Sequence, residues 1–373
     1  MDGLKVLVTN LKLTSRSGTE LYARDLGLAL LRRGHRPVVY APMAEGSVVD
    51  ELRRATVPVV ERLGQVGFAP DVIHGHHAHQ TMAALLHFER APGIFLCHDA
   101  RAWHDEPPHH PRIRRYVAVD RACRDRLVAE SGVAEARVDV LHNFVDLARF
   151  APRGALPARP RRALVFSNHA QPGGFLDAVA EACRRCGVEL DVVGASVGRS
   201  VEKPEELLGA YDLVFAKAKA AMEGLAVGAA VVLCASLGLG GLVTTERFEL
   251  LRANNFGRRT LRDPVTPDSV EAAIRAYDPA DAAEVSRRFR GCGGLETTVD
   301  ALVALYEEVI HEHASVPPPE PEAERRAVAA YMERLASTEA IVDSANYKTQ
   351  NDELRRRLAA LEGLPVKRPL WRR

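Results

Sequence analysis

The densest concentration of reactive side chains lies in DVIHGHHAHQ, residues 71–80, where His74, His76, His77 and His79 fall within six positions. Histidine is the commonest metal ligand, so zinc is the first chemistry to consider. A helical metal pair needs i, i+4 spacing on a formed helix and a third ligand nearby. These four straddle the end of an apolar strand and the start of the next helix. Strand alternation puts His74 and His76 on one face, and His77 leaves it. The expectation is therefore no metal, with His76 and His77 at the C-terminal rim of a sheet. FLCHD offers a second polar strand end, His98 and Asp99. Cys183 and Cys186 form C-x-x-C near the end of an amphipathic helix, FLDAVAEACRRCG. A redox pair sits at a helix start, where the dipole lowers the thiol pKa, so redox chemistry is not assigned.

Small-residue loops are the other chemical resource. TSRSGTELYARDLGLALLRRGH puts Gly18 between a strand and a helix, where free N–H groups and the positive dipole end suit an anionic or hydroxyl-rich ligand. CASLGLGGLVT offers Gly238, Gly240 and Gly241 after a strand, read as a loop that lets backbone approach a ligand. LRANNFGRRTL carries Asn254, Asn255, Arg258 and Arg259, to which the sequence assigns no role.

The elements that must position these groups repeat one pattern. LKVLVT, PVVYAP, DVIHGH, GIFLCHD, RRYVAVD and ARVDVLHN read as short apolar strands, separated mostly by amphipathic helices. Alternation of this kind implies a parallel sheet with crossover helices. The pattern restarts after a Pro- and Arg-rich stretch with ALVFSNH, VELDVVG, DLVFAK and AAVVLCA. The expected organisation is an N-terminal domain 1–150, a linker 151–162, a C-terminal domain 163–315 closed by the helix LETTVDALVALYEEVIHEH, and a tail 316–373. The tail opens with a stiff VPPPEP spacer and continues as a charged helical stretch in which Leu354, Leu358 and Leu361 make a partial heptad seam. It ends in the basic KRPLWRR. A solvated helix, a self-association arm and a membrane-surface contact are the readings this leaves open.

Composition bounds the partners. The 373 residues carry 50 basic and 49 acidic side chains, net +1, which gives no general attraction to nucleic acid or anionic membrane. MDGLKVLVTNLKL runs directly into a strand, and no apolar run reaches the ~18–20 residues of a membrane span. With six scattered cysteines, these features give a cytoplasmic expectation.

SGTELYARDLGLALLRRGHRPVVYAP resembles the N-terminal signature of family four glycosyltransferases, which have the GT-B fold. DVIHGHH, FLCHDARAW, YVAVDRACRDRLV and VLHNFVDLARFAP follow in that family's order and spacing. The last resembles its Asn-Gly-Val-Asp…Arg-Phe-x-Pro run, with Asn143, Val145, Asp146, Phe150 and Pro152 matching and Phe144 replacing the Gly. AKAKAAMEGLAVGAAVVLC resembles its Glu-Ala-Met-Ala-x-Gly-x-Pro-Val segment, with Glu223, Ala226, Gly228 and Val231 matching and Ala230 at the usual Pro. The resemblance spans roughly residues 4–312 and implies an α/β fold of two Rossmann-like doubly wound domains facing each other across a cleft, followed by the helical tail.

The resemblance places His98 at the family's active-site histidine, with Asp99 beside it, and Glu223 on the nucleotide ribose. It also marks departures. The family's second Glu, eight positions earlier, is Phe215 here. The usual Gly-Arg and Lys after the first strand of the second domain are replaced by FSNHAQPGG, which offers Asn168, His169 and the backbone of Gly173 and Gly174. Lys217 is a cation for the donor diphosphate, Gly240 and Gly241 line the donor, and Gly18, His76, His77 and Asn143 lie on the acceptor side; Arg199 is a further candidate cation.

The implied activity is that of a retaining, metal-independent, hexosyltransferase-type enzyme. It would take its sugar from a nucleotide-sugar donor, a co-substrate rather than a cofactor. The implied acceptor is a glycan, lipid-linked or protein hydroxyl in surface polysaccharide, glycolipid or glycoprotein assembly, with no nucleic-acid partner. Peripheral contact at the inner face of a membrane is an option for the tail. The missing carboxylate and cations leave two alternatives: a GT-B binding or scaffold protein that has lost transfer, and a GT-B sugar-nucleotide epimerase.

Overall fold

The structure is a computed structural model describing residues 3–337. The chain forms two compact units. One runs to Pro107 and resumes from Arg112 to Pro317; the other is Pro108–Pro111 with the chain from Pro318. In the second unit residues 321–337 are helical. The leucine seam at Leu354, Leu358 and Leu361 and the basic KRPLWRR lie outside the described residues.

The first unit holds two sheets. Strands β1 (Lys5–Thr9), β2 (Arg36–Tyr40), β3 (Val59–Val60), β4 (Val72–His76), β5 (Gly93–Cys97), β6 (Ile113–Ala118) and β7 (Val138–Val140) form the first, in the order β3-β2-β1-β4-β5-β6-β7. Every pairing in it is parallel. Helices cover both faces of such a sheet, so its central strands are apolar throughout rather than alternating, as in the wholly buried β5. The order turns on β1 and β4, so ligand-binding loops gather at their C-terminal ends.

Strands β8 (Arg162–Phe166), β9 (Glu189–Val193), β10 (Leu213–Ala216), β11 (Ala230–Ala235) and β12 (Gly238–Leu242) form the second sheet, in the order β12-β11-β10-β8-β9. β12 is antiparallel to β11. The stretch read from sequence as a ligand-approaching glycine loop is thus the second arm of a hairpin. Its glycines answer to packing: a Cβ on Gly240 would stand 2.8 Å from the Leu233 Cβ and 2.8 Å from the Thr260 carbonyl oxygen. Gly241 has φ +73°, a conformation that favours glycine.

The helix Leu295–Ser315 corrects a second expectation. The sequence grouped it with the second half, but it packs on the first sheet, against β4, β5, β6 and the helix Gly18–Arg32. Its buried face runs through Leu295, Val299, Leu302, Tyr306 and Val309. Amphipathicity shows that such a face must be covered, but not which sheet covers it. Here Val145 bonds across to Gly293 and Leu295, returning the chain, and Arg33 and Arg115 pair with Asp300, Glu308 and Glu312.

Candidate functional site

Two cavities in the first unit are lined by strand ends of both sheets. The smaller, about 340 Å³, is bounded by the β1 loop (Ser15, Arg16 and Ser17), the ends of β8 and β9 (Asn168, Gly194), and Lys219 and Glu223 of the helix Ala218–Val227. Glu223 is buried, and no group among the described residues donates a hydrogen bond to it. Burial raises its carboxyl from 4.5 to about 7, against the attraction of Lys219, while Asp25 adds to the rise.

Around it runs a charge network from both halves. Asp25 accepts from Arg24 at 2.5 and 2.9 Å and from the Lys219 ammonium at 3.2 Å. Arg24 and Arg16 both reach Glu51, at 2.8 and 2.6 Å, and Arg149 reaches Glu205 at 2.9 Å. Arg24 and Asp25 sit on the helix Gly18–Arg32, whose start is held by Glu20 accepting from Ser15 and Ser17. Sequence reading missed Arg24, Asp25 and Arg149. The available signal was an adjacent Arg-Asp pair interrupting an otherwise apolar helix face.

Of the expected donor residues, Asn168 lines this cavity, its Oδ1 accepting from the Ala195 N–H. Gly18 opens the helix directly after Ser17, with open space where a Cβ would stand. His169, Gly173 and Gly174 are exposed and line neither cavity. The Gly173 N–H is already taken by the Asp177 carboxylate at 3.0 Å, which argues against a phosphate loop there. Arg199 is exposed, 3.7 Å from Asp191, and lines neither cavity. Gly194, which sequence reading did not single out, approaches the neighbouring loop so closely that a Cβ would fall 1.9 Å from the Ser167 carbonyl oxygen. Gly194→Ala is expected to lower stability by roughly 1–3 kcal/mol through forced separation of these loops, measured by denaturant unfolding. An unchanged midpoint would show that the loops part freely.

The larger cavity, about 680 Å³, brings together His98, Asp99, Asn143 and Lys217. Asp105 sets the geometry of the β5 end: its Oδ2 accepts from the His98 and Asp99 N–H groups at 3.0 and 2.6 Å. Arg126 donates to the Asp99 and Ala102 carbonyls and to Glu106. The buried His98 Nε2 has no hydrogen-bond partner among the described residues. Burial is the main cause that pushes the His98 imidazole down to about 4, so it is neutral near pH 7. Lys217 caps the helix Ala218–Val227; burial lowers its ammonium, Asp99 opposes that, and Arg258 adds to it.

His76 and His77 are not rim residues. Both are buried and line neither cavity. His76 stands behind His98, ring centroids 4.6 Å apart, and its Nε2 lies 2.8 Å from that of His74. The His74 Nδ1 meets the Tyr306 hydroxyl at 2.5 Å. Strand alternation did put His74 and His76 on one face, but that face is covered by Tyr22 and by the helix carrying Tyr306. His77 Nδ1 pairs with Asp105 Oδ1 at 2.9 Å. His77, His104 and Asp105 each bring one ligand atom within 4.8 Å of the others, the one such group among the described residues. Both Asp105 oxygens already serve hydrogen bonds, so the arrangement acts as a clamp on the His98–Asp99 backbone.

No helix of the described residues is long and apolar enough to cross a membrane. The family model described as Glycosyltransferase Family 4 matches residues 16–149. No curated protein matches the chain. Among solved structures, a glycosyltransferase from Rickettsia africae ESF-5 is similar at TM-score 0.61 and 13% identity, covering 83% of this chain and 99% of that one. An S. aureus MnaA–UDP co-structure is similar at TM-score 0.52 and 12% identity, covering 85% and 100%. A UDP-N-acetylglucosamine 2-epimerase is similar at 0.51 and 12%, covering 85% and 99%. At these identities the likeness is one of fold. The resemblance read from the sequence is thus supported over residues 16–149 by the family four glycosyltransferase model, and the rest of the first unit shares a GT-B-type fold with these structures.

Proposed function

We propose that the protein transfers a hexosyl group from a nucleotide-sugar donor to a hydroxyl acceptor with retention of configuration. One observation carries this reading: a buried carboxylate, Glu223, faces the smaller cavity with no donor of its own among the described residues. A buried acceptor of that kind is matched by a ligand that brings hydroxyl donors, as a ribose does. Lys217 and the N-terminus of the helix Ala218–Val227 would receive the diphosphate, six residues or about 9 Å along the helix from Glu223 at 1.5 Å per residue. The transferred sugar then lies over His98 and Asp99, with Asn143 on the acceptor side. Asn168 would support the nucleotide, and the loop before Gly18 lies where donor and acceptor meet.

In the transfer the bond from the anomeric carbon to the diphosphate oxygen breaks, and a bond to the acceptor oxygen forms on the same face. The acceptor proton goes to the leaving diphosphate. Cations and the helix terminus stabilise that charge, so the reading needs no metal and no further cofactor. A glycan, lipid-linked or protein acceptor fits a cytoplasmic enzyme working at the inner face of a membrane, with the tail as contact or self-association arm.

A panel of UDP- and GDP-sugars tests the reading. The expected result is acceptor-dependent nucleotide release that survives a chelator. No binding of any nucleotide sugar by calorimetry would remove every enzymatic reading and leave a scaffold. A bound nucleotide sugar that is isomerised without nucleotide release would make it an epimerase. Chelator-sensitive turnover would move attention to His77, His104 and Asp105.

A further inference from the structure

We infer that the larger cavity takes an acceptor bearing an anionic group, a phosphate or a carboxylate, held by Arg258 and Arg262. This rests on the transferase reading above and specifies its acceptor.

The two cavities differ in how their charges are balanced. In the smaller one the cations already have partners: Arg16 and Arg24 on Glu51, Arg149 on Glu205, Lys219 on Asp25. The larger one is lined by Arg101, Lys217, Arg258, Arg259 and Arg262. Of these, Arg259 pairs with Asp125. Arg101, Arg258 and Arg262 form no ion pair among the described residues, and the Arg262 guanidinium donates only to the Arg259 carbonyl among them. Of the three acids in the same wall, Asp99 and Asp120 each have one oxygen engaged, and the exposed Glu130 forms no ion pair among the described residues. Asp99 Oδ1 accepts from the Arg101 and Ala102 N–H groups, and Asp120 Oδ1 caps the Cys123 N–H. Arg258 also acts on Lys217 as a like charge. Arginines at a concave wall that are not ion-paired to its acids suit an anion that arrives with the ligand, and their planar forks match phosphate and carboxylate oxygens.

The segment that presents them is fixed. Asn255 and Phe256 have φ of +48° and +51°, which non-glycine residues seldom adopt. The Asn255 amide donates to the Val119 carbonyl and accepts from the Asn143 N–H, and the Phe256 carbonyl accepts from Ala218. Phe256 is itself buried, packed between Phe248 and Phe289. The strained pair is thereby locked to both halves and aims the following arginines at the cavity.

The test titrates the full chain calorimetrically with glucose 1-phosphate, glucuronate and glucose. At least one anion is expected to bind tenfold or more tightly than glucose. Arg258→Ala/Arg262→Ala should erase that preference, and high salt should weaken it. Both arginines are exposed, so the unfolding midpoint should not move. Preference for glucose 1-phosphate assigns a phosphate-bearing acceptor; preference for glucuronate assigns a carboxylate. Equal binding of all three, no binding of any, an unaffected double variant, or a response only to anionic vesicles would overturn the proposal. Arginine-dependent anion binding without nucleotide-sugar turnover would defeat the transferase reading alone. Turnover onto neutral acceptors, indifferent to both arginines, would defeat this inference alone.

Discussion

Glu223→Gln is expected to lose donor affinity while the protein gains stability. The Glu223 carboxyl has its folded pKa raised from 4.5 to about 7 by burial. Below pH 4.5 it is protonated in both states and costs nothing. As pH rises from 4.5 towards 7 the unfolded chain releases the proton first, so stability falls, and above 7 the full cost is present. A shift of that size amounts to about 3 kcal/mol, and full burial leaves little solvent screening to reduce it. The Gln variant should therefore melt higher than wild type at pH 8 and match it at pH 4. Its donor affinity should fall roughly 30- to 100-fold, as when one partner of a buried charged hydrogen bond is truncated. Wild-type donor affinity should climb between pH 6 and 8 as the carboxylate ionises to accept ribose hydroxyls, and the Gln variant should be flat. A purely structural Glu223 would move stability but not affinity. A wild-type donor isotherm that ignores pH would remove Glu223 from the donor site.

His98→Ala is expected to lower kcat about 10²- to 10³-fold with donor Kd nearly unchanged, the range for a positioned group acting in the transition state. The imidazole is pushed down to about 4, so it works neutral, as a hydrogen-bond partner through the unpaired Nε2. Two readouts follow. The pH–rate profile above pH 5 should carry the Glu223 limb and none from His98. His98→Gln, which keeps a polar group near that position, should recover part of the loss. Equal losses in the Ala and Gln variants, with donor Kd weakened alongside kcat, would make His98 a packing residue. Its ring stands edge-on to Tyr22 at 4.9 Å and to His76 at 4.6 Å, and those contacts would then be its whole role.

The sequence by itself determined the layered α/β class, because short apolar strands alternating with amphipathic helices have few other ways to bury both faces. It also singled out residues that the structure brings together. His98, Asp99, Asn143 and Lys217 meet in one cavity, and Glu223 and Asn168 in the other. For His98 and Asp99 this is a local property: a polar residue following an apolar strand must emerge at the sheet rim unless another element covers it. Only the tertiary structure decided the rest. His76 ends β4 and His77 follows it as expected, yet both are buried: Tyr22 arrives from a distant helix against His76, Tyr306 takes His74 behind it, and His77 packs on His104 and Asp105. Gly240 and Gly241 looked like ligand-approach glycines because a hairpin arm and a loop share the same residues; antiparallel pairing with β11 separates the two. Asp105 gave no sign in the sequence of holding the His98 backbone, and the Arg24–Asp25 pair, though it interrupts an apolar helix face, did not show that it would ring Glu223 with Arg149. The Asp105 contacts form across a short loop whose path periodicity does not report, and the ring around Glu223 joins segments far apart along the chain. Periodicity reports which faces are apolar; it carries no information on which buried charges will meet.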